Sequence, residues 1–100
     1  MENLWKSKTI DLGNIESNTK YEFSFETTKD ATKFIKEVRP GCGVCTKVSD
    51  INSKGIKIKY SSGDVPIHLI NDGVNINNTV YVDYFDGETD VLIFTGIMRN

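Results

Sequence analysis

Glu37-Val38-Arg39-Pro40-Gly41-Cys42-Gly43-Val44-Cys45-Thr46 is the stretch on which the reading of this chain turns. It holds both cysteines, one of the two prolines and two of the eight glycines, with short apolar segments on either side. It is therefore either a chemical centre or a corner between strands. A redox Cys-x-x-Cys pair needs its first cysteine at a helix N-terminus, where the thiolate is stabilised. Here Pro40-Gly41 comes first, and Thr46-Lys47-Val48-Ser49 has no helical pattern. A zinc site takes four ligands. Cys42 and Cys45 supply two, and His68, the single histidine, is the remaining candidate, so a site would need a carboxylate or a second chain as well. The corner reading, with two small, partly buried side chains, explains the stretch with fewer parts. No apolar leader stands at the N-terminus, so the chain reads as cytosolic as encoded, and two cysteines in such a chain do not suggest a disulfide scaffold, with the redox state of Cys42 and Cys45 left open.

Working outward, Tyr21-Glu22-Phe23-Ser24-Phe25-Glu26 alternates aromatic with polar residues, the pattern of a strand with one buried and one wet face. Lys8–Ile15 is a first extended piece bent at Gly13, and Glu16–Thr19 is turn chemistry. Residues 1–8 form an N-terminal arm before a single domain over 9–100. Ala31–Val38 fits both periods, but Pro40 leaves too little length for a stable helix, so a strand is expected over Lys33–Val38. Downstream, Thr46–Ile51 and Ile56–Tyr60 are strands around an Asn52–Gly55 turn, the second with lysines outward, as suits a solvated or edge strand. Val65–Ile70 carries Pro66 and reads as an edge or loop, and Asn71–Asn78 as a connection. Thr79–Phe85 and Asp90–Ile97 make a hairpin. About seven short strands without a secure helix predict an all-β, antiparallel β-sandwich.

One hundred residues make one thin-cored domain, and the net charge of −2 carries no basic stripe of the kind nucleic acid requires. No apolar run is long enough to cross a membrane. No nucleophile elbow or phosphate loop is present, so no catalytic residue and no cofactor is expected. Asp83, Asp86, Glu88 and Asp90 gather near the hairpin tip, where Ca²⁺ or an ordinary acidic turn both fit. The hairpin carries more apolar residues than one core face uses. A two-residue Asp86-Gly87 turn sets Val82 opposite Val91, and a three-residue bulged loop sets it opposite Leu92. In either case the surplus falls on Tyr81, Phe85, Val91, Ile93 and Ile97. Together with Trp5 in the arm, these are the candidate partner-binding residues, unless the arm or Val65–Ile70 covers them.

Four landmarks in order resemble the Hydin-type (ASH) immunoglobulin-like domains and their small bacterial relatives. They are Asp11-Leu12-Gly13-Asn14-Ile15, Tyr21-Glu22-Phe23-Ser24-Phe25, the Gly41-Cys42-Gly43-Val44-Cys45-Thr46 corner, and Phe94-Thr95-Gly96-Ile97. The likeness departs at Val44, between the cysteines, and at Thr27-Thr28-Lys29-Asp30. It implies an immunoglobulin-like sandwich with a binding or structural role and no enzymatic activity. That fold, the absent export signal and the surplus apolar face together lead to the expectation of a bacteriophage virion component, decorating capsid or tail through protein contacts and open to self-association. The alternative is a bacterial interaction or adhesion module, and behind both stands a small cysteine-based metal or redox protein.

Overall fold

The computed structural model describes residues 4–43, 45–63 and 73–99. Its strands are β1 (Thr9–Glu16), β2 (Lys20–Glu26), β3 (Ile35–Pro40), β4 (Thr46–Asn52), β5 (Gly55–Ser61), β6 (Val74–Tyr84) and β7 (Thr89–Arg99). They form a four-stranded sheet, β1-β7-β6-β3, packed on a three-stranded sheet, β2-β5-β4. The expected all-β sandwich is present, with one addition: β1 runs parallel to β7, while every other described pair is antiparallel.

Alternation makes the core. In β2, Phe23 and Phe25 point inward opposite Ile58 and Ile56 of β5, and β6 and β7 supply Val80, Val82, Leu92 and Phe94, all buried. Phe94 joins the sheets, its ring 4.9 Å from Phe23 and 5.2 Å from Tyr60, both edge-on. Such pairs add to the area term, so Phe94 is the side chain the sandwich depends on most.

Several boundaries differ from the sequence reading. Residues 31–33 form a 3-10 turn, and β3 starts only at Ile35. Asp30 caps that turn by accepting from the Thr32 amide at 3.0 Å, a local signal that outweighs the apolar pattern. Pro40 closes β3 on the sheet's edge, where a missing N–H is tolerated. The supposed connection before the hairpin is largely strand. β6 begins at Val74 and turns Val74 and Ile76 toward the core while Asn75 and Asn77 face solvent. Asparagine usually marks turns, but here it fills the wet face of a long strand. β5 is the central strand of its sheet, not an edge. Val65–Ile70 lies outside the described residues.

The hairpin register follows neither expected alternative. Val82 faces Asp90 and Val80 faces Leu92. The loop is Phe85-Asp86-Gly87: the Gly87 amide donates to the Tyr84 carbonyl at 3.1 Å, and the Tyr84 amide donates to Glu88 at 2.9 Å. Gly87 sits at φ +92°, where a residue without Cβ closes such a bulged turn at no steric cost. Three loop residues were foreseen, but the loop begins one position earlier.

The arm is not a free appendage. Leu4 and Trp5 are core residues. Trp5 bridges to Thr27, the Thr28 amide donates to the Leu4 carbonyl at 2.6 Å, and the Ile93 amide donates to the Lys8 carbonyl at 2.8 Å. Residues 4–8 thus cross from the end of one sheet to the other.

The corner is where expected, between β3 and β4. The Gly41 amide donates to Thr79 of β6 at 2.8 Å, and the Ser61 amide of β5 donates to Cys45 at 2.8 Å, so the crossover is tied to both sheets. Cys42 and Cys45, whose redox state the sequence leaves open, are joined in a disulfide, their Cα atoms 5.6 Å apart. A short loop does not prevent pairing when the turn already brings the Cα atoms to bonding range.

Candidate functional site

The hairpin register decides which apolar residues share a face. Tyr81 stands opposite Val91, Thr79 opposite Ile93 and Asn75 opposite Ile97. With the partners of Val80, Val82, Leu92 and Phe94 turned inward, Tyr81, Val91, Ile93 and Ile97 come together on the outer face of the four-stranded sheet. Val91 is 42% exposed and Tyr81 and Ile97 are each 36% exposed, while Ile93 is half-buried. β1 borders the stripe with Thr9 beside Ile93 and Asn14 beside Ile97. Toward one end the face dips into a groove of about 410 Å³ lined by Asp11, Asn77, Thr95, Gly96 and Ile97 among others.

The other border is held by charge. Arg39 of β3 stands opposite Tyr81, and its guanidinium lies 5.5 Å from the ring centroid. The same guanidinium grips Asp83 through Nε and Nη2 at 2.7 and 3.0 Å. Thr89 Oγ1 also donates to Asp83, at 2.7 Å. Arg39 first, and Thr89 second, hold the Asp83 carboxyl below the usual carboxylate range. The result is an apolar centre with a fixed polar rim, the anatomy of a protein contact surface.

Two of the expected contact residues fall elsewhere. Phe85 sits in the hairpin loop, off the sheet face and 66% exposed, with its amide donating to Phe34 at 3.0 Å. Trp5 is only 7% exposed and cannot anchor a partner. Its Nε1 donates to Tyr84 Oη at 2.6 Å, Tyr84 donates to Asp90 Oδ2 at 2.6 Å, and Lys8 donates to Asp90 Oδ1 at 2.9 Å. An indole N–H taken from water needs a partner, and this chain of bonds supplies it while fastening the arm to the hairpin. Burial first, and then the neighbouring Asp90, push the Tyr84 hydroxyl well above the ordinary tyrosine range. Burial alone would raise Asp90, but the Tyr84 and Lys8 bonds outweigh it and the carboxyl falls below its ordinary value.

These bonds also dissolve the acidic cluster read at the hairpin tip. Asp83 is committed to Arg39, Asp90 to Tyr84 and Lys8, and Asp86 accepts from the Glu88 amide at 2.9 Å. Among the described residues no group of three or more His, Cys, Asp or Glu is arranged to hold a metal. Of the metal candidates, Cys42 and Cys45 have their sulfurs in the disulfide, and His68 lies outside the described residues. Among the described residues no helix is long and apolar enough to cross a membrane.

Sequence reasoning had no access to Arg39, Asp83 and Tyr84 as a set. Arg39 lies on β3 and Asp83 and Tyr84 on β6; only the register sets Arg39 beside Asp83, while Tyr84 turns to the core. The Arg39–Asp83 pair has no local spacing signal. The inward alternation Val80, Val82, Tyr84 was visible and could have suggested a buried tyrosine in need of a partner.

No family model matches the chain, and no curated protein matches it. Solved structures do. The chain is similar to the SrpA adhesin from Streptococcus sanguinis at a TM-score of 0.59 and 15% identity, over 86% of this chain and 52% of that one. It is similar to a mutant form of the same adhesin at a TM-score of 0.57 and 14% identity, over 91% of this chain and 56% of that one. The chain spans a little over half the length of these structures, and identities this low carry the fold alone.

Proposed function

We propose that this chain is a non-enzymatic immunoglobulin-like binding module of the adhesion type, which holds a protein partner on the outer face of its four-stranded sheet. The observation that carries the reading is the stripe of Tyr81, Val91, Ile93 and Ile97, apolar side chains left in solvent beside a rim held by Arg39 and Asp83. Contact surfaces of this kind draw their affinity from a few central aromatic and aliphatic anchors. The adhesin structures that share the fold support a binding role, as does the resemblance to Hydin-type domains. The Cys42–Cys45 disulfide supports an exported setting, because such bonds persist in oxidising compartments. The virion reading would use the same face on a capsid or tail protein and draws no support from the structural neighbours.

A photo-crosslinking residue placed at Val91 tests the proposal in the full chain. The expected result is one dominant protein adduct from Val91 and none from Ser24, which faces outward on the other sheet. Equal labelling from both positions, or none from Val91 in either a cell-surface or a particle preparation, overturns it. The identity of the adduct separates an envelope partner from a capsid or tail partner.

A further inference from the structure

The outer face of the three-stranded sheet is built on a different chemistry. There β2, β5 and β4 turn Lys20, Lys47, Lys57 and Lys59 outward, on a chain whose net charge is −2. At the end beside the disulfide corner lies a groove of about 500 Å³, with Lys20, Lys47 and Lys59 around Glu22 and Ser61. We propose that this groove is a binding site for an anionic saccharide, one carrying carboxylate or sulfate groups.

The register makes the cations costly to the fold. Lys47 stands directly opposite Lys59 across the β4–β5 ladder, a like-charge pair that destabilises a sheet. Glu22 is the one acid in the groove, and it is divided between Lys57 at 3.6 Å and Lys59 at 3.9 Å. Among the described residues, Lys20 and Lys47 have no ion-pair partner. Lysines often guard a sheet edge against pairing with another chain. That role does not account for Lys59, because β5 is the central strand of its sheet. Glu22 offsets part of this charge, and the excess carried by Lys20 and Lys47 points to an anion from outside.

The surroundings narrow the class of that anion. β5, at the middle of the groove, is paired on both sides, to β2 and β4, so a peptide crossing the groove floor finds no free ladder there; the open strand edges are the outer ones of β2 and β4. Single-stranded nucleic acid binds by stacking bases on exposed rings. The one ring here, Tyr21, is half-buried and its hydroxyl accepts from the Glu16 amide at 2.7 Å. Lysine ammoniums act as point charges, without the fork that arginine offers to a single planar anion, and so suit several separate charges. Glu22 as an acceptor, and Ser61 as donor or acceptor, provide what sugar hydroxyls bind. The groove's volume falls within the range of ordinary ligand sites.

The test is titration of the full chain, followed by amide chemical shifts, with four probes: a heparin-derived octasaccharide, an oligogalacturonate, neutral dextran and oligo-dT. At low salt one or both acidic saccharides should shift Lys20, Lys47, Lys59 and Ser61, and dextran should not. Affinity should fall about tenfold or more in about 0.5 M salt, and by a similar factor in Lys47→Glu, since exposed charge–charge attraction is screened. Lys36→Glu, the same charge reversal on β3 of the other sheet, should leave it unchanged. No binding by either acidic saccharide overturns the proposal, as do shifts centred elsewhere, indifference to Lys47→Glu, or oligo-dT binding as tightly. The proposal does not rest on the protein contact surface, and failure of the Val91 crosslink leaves it standing.

Discussion

The two outer faces of the sandwich share one core and solve opposite problems. The four-stranded face leaves Tyr81, Val91 and Ile97 in solvent beside the Arg39–Asp83 ion pair. The three-stranded face turns polar and charged side chains outward along β2 and β5 and sets Lys47 against Lys59, a pair that repels. Unsatisfied apolar area gains by being covered, whereas unsatisfied charge gains by being neutralised. The two partners we propose differ accordingly, and the difference lies in residues that do not build the core.

The sharpest way to break the comparison is to remove what both faces stand on. Phe94→Ala should cost about 3–5 kcal/mol, because it empties the space between Phe23 and Tyr60. Urea denaturation should show one transition, and the integrity of both faces should be lost together. Separate transitions would mean the sheets are less coupled than their shared ring contacts indicate.

Tyr84→Phe acts on one side only. It leaves the Trp5 indole N–H buried without its acceptor and frees Asp90, for an expected loss of about 1–3 kcal/mol. The same network sets a pH dependence. Asp90 and Asp83 have carboxyls lowered by folding, so their contribution is complete above the unfolded carboxylate value of about 4 and disappears as pH falls through the lower folded value. Tyr84 is raised, so its contribution is complete below about 10 and is lost as pH climbs further. Thermal melts from acid to alkaline pH should therefore fall at both ends, and Asp90→Asn should flatten the acid limb. An unchanged acid limb in that variant would remove Asp90 from the account.

The remaining effects are smaller and tell the faces apart. Lys47→Glu converts a repulsive cross-strand pair into an attractive one and should stabilise the fold by about 0.2–1 kcal/mol, read as a raised melting temperature. A destabilised variant would mean that Lys47 and Lys59 do not burden the fold. Val91→Thr, exposed on the other sheet, should move stability by less than about 0.5 kcal/mol. Crosslinking competition should nevertheless show weakened partner binding. A large loss of stability would reassign Val91 from surface to structure.

Much of this was legible in local pattern. The alternating aromatics of β2, the corner at Pro40–Thr46, and a surplus of apolar residues in the hairpin are period-two and turn signals carried by neighbouring residues. What was not legible depended on register. The loop begins at Phe85, so the pairings shift and Tyr81 stands opposite Val91, with Phe85 left in the loop. The start of β6 was hidden because asparagine serves turns and wet strand faces alike. Trp5 read as a lid or an anchor, and only the position of Tyr84 decided between them.

The chain's own order of residues determined that this protein is an all-β sandwich, because alternation and turn chemistry act over a few neighbouring positions. Tertiary structure alone decided that Cys42 and Cys45 pair, that Trp5 is buried, and that Lys47 confronts Lys59. Those outcomes depend on how turns orient the backbone and on how one strand slides against another. A shift of one residue along a strand reverses every face, and no local pattern records the choice.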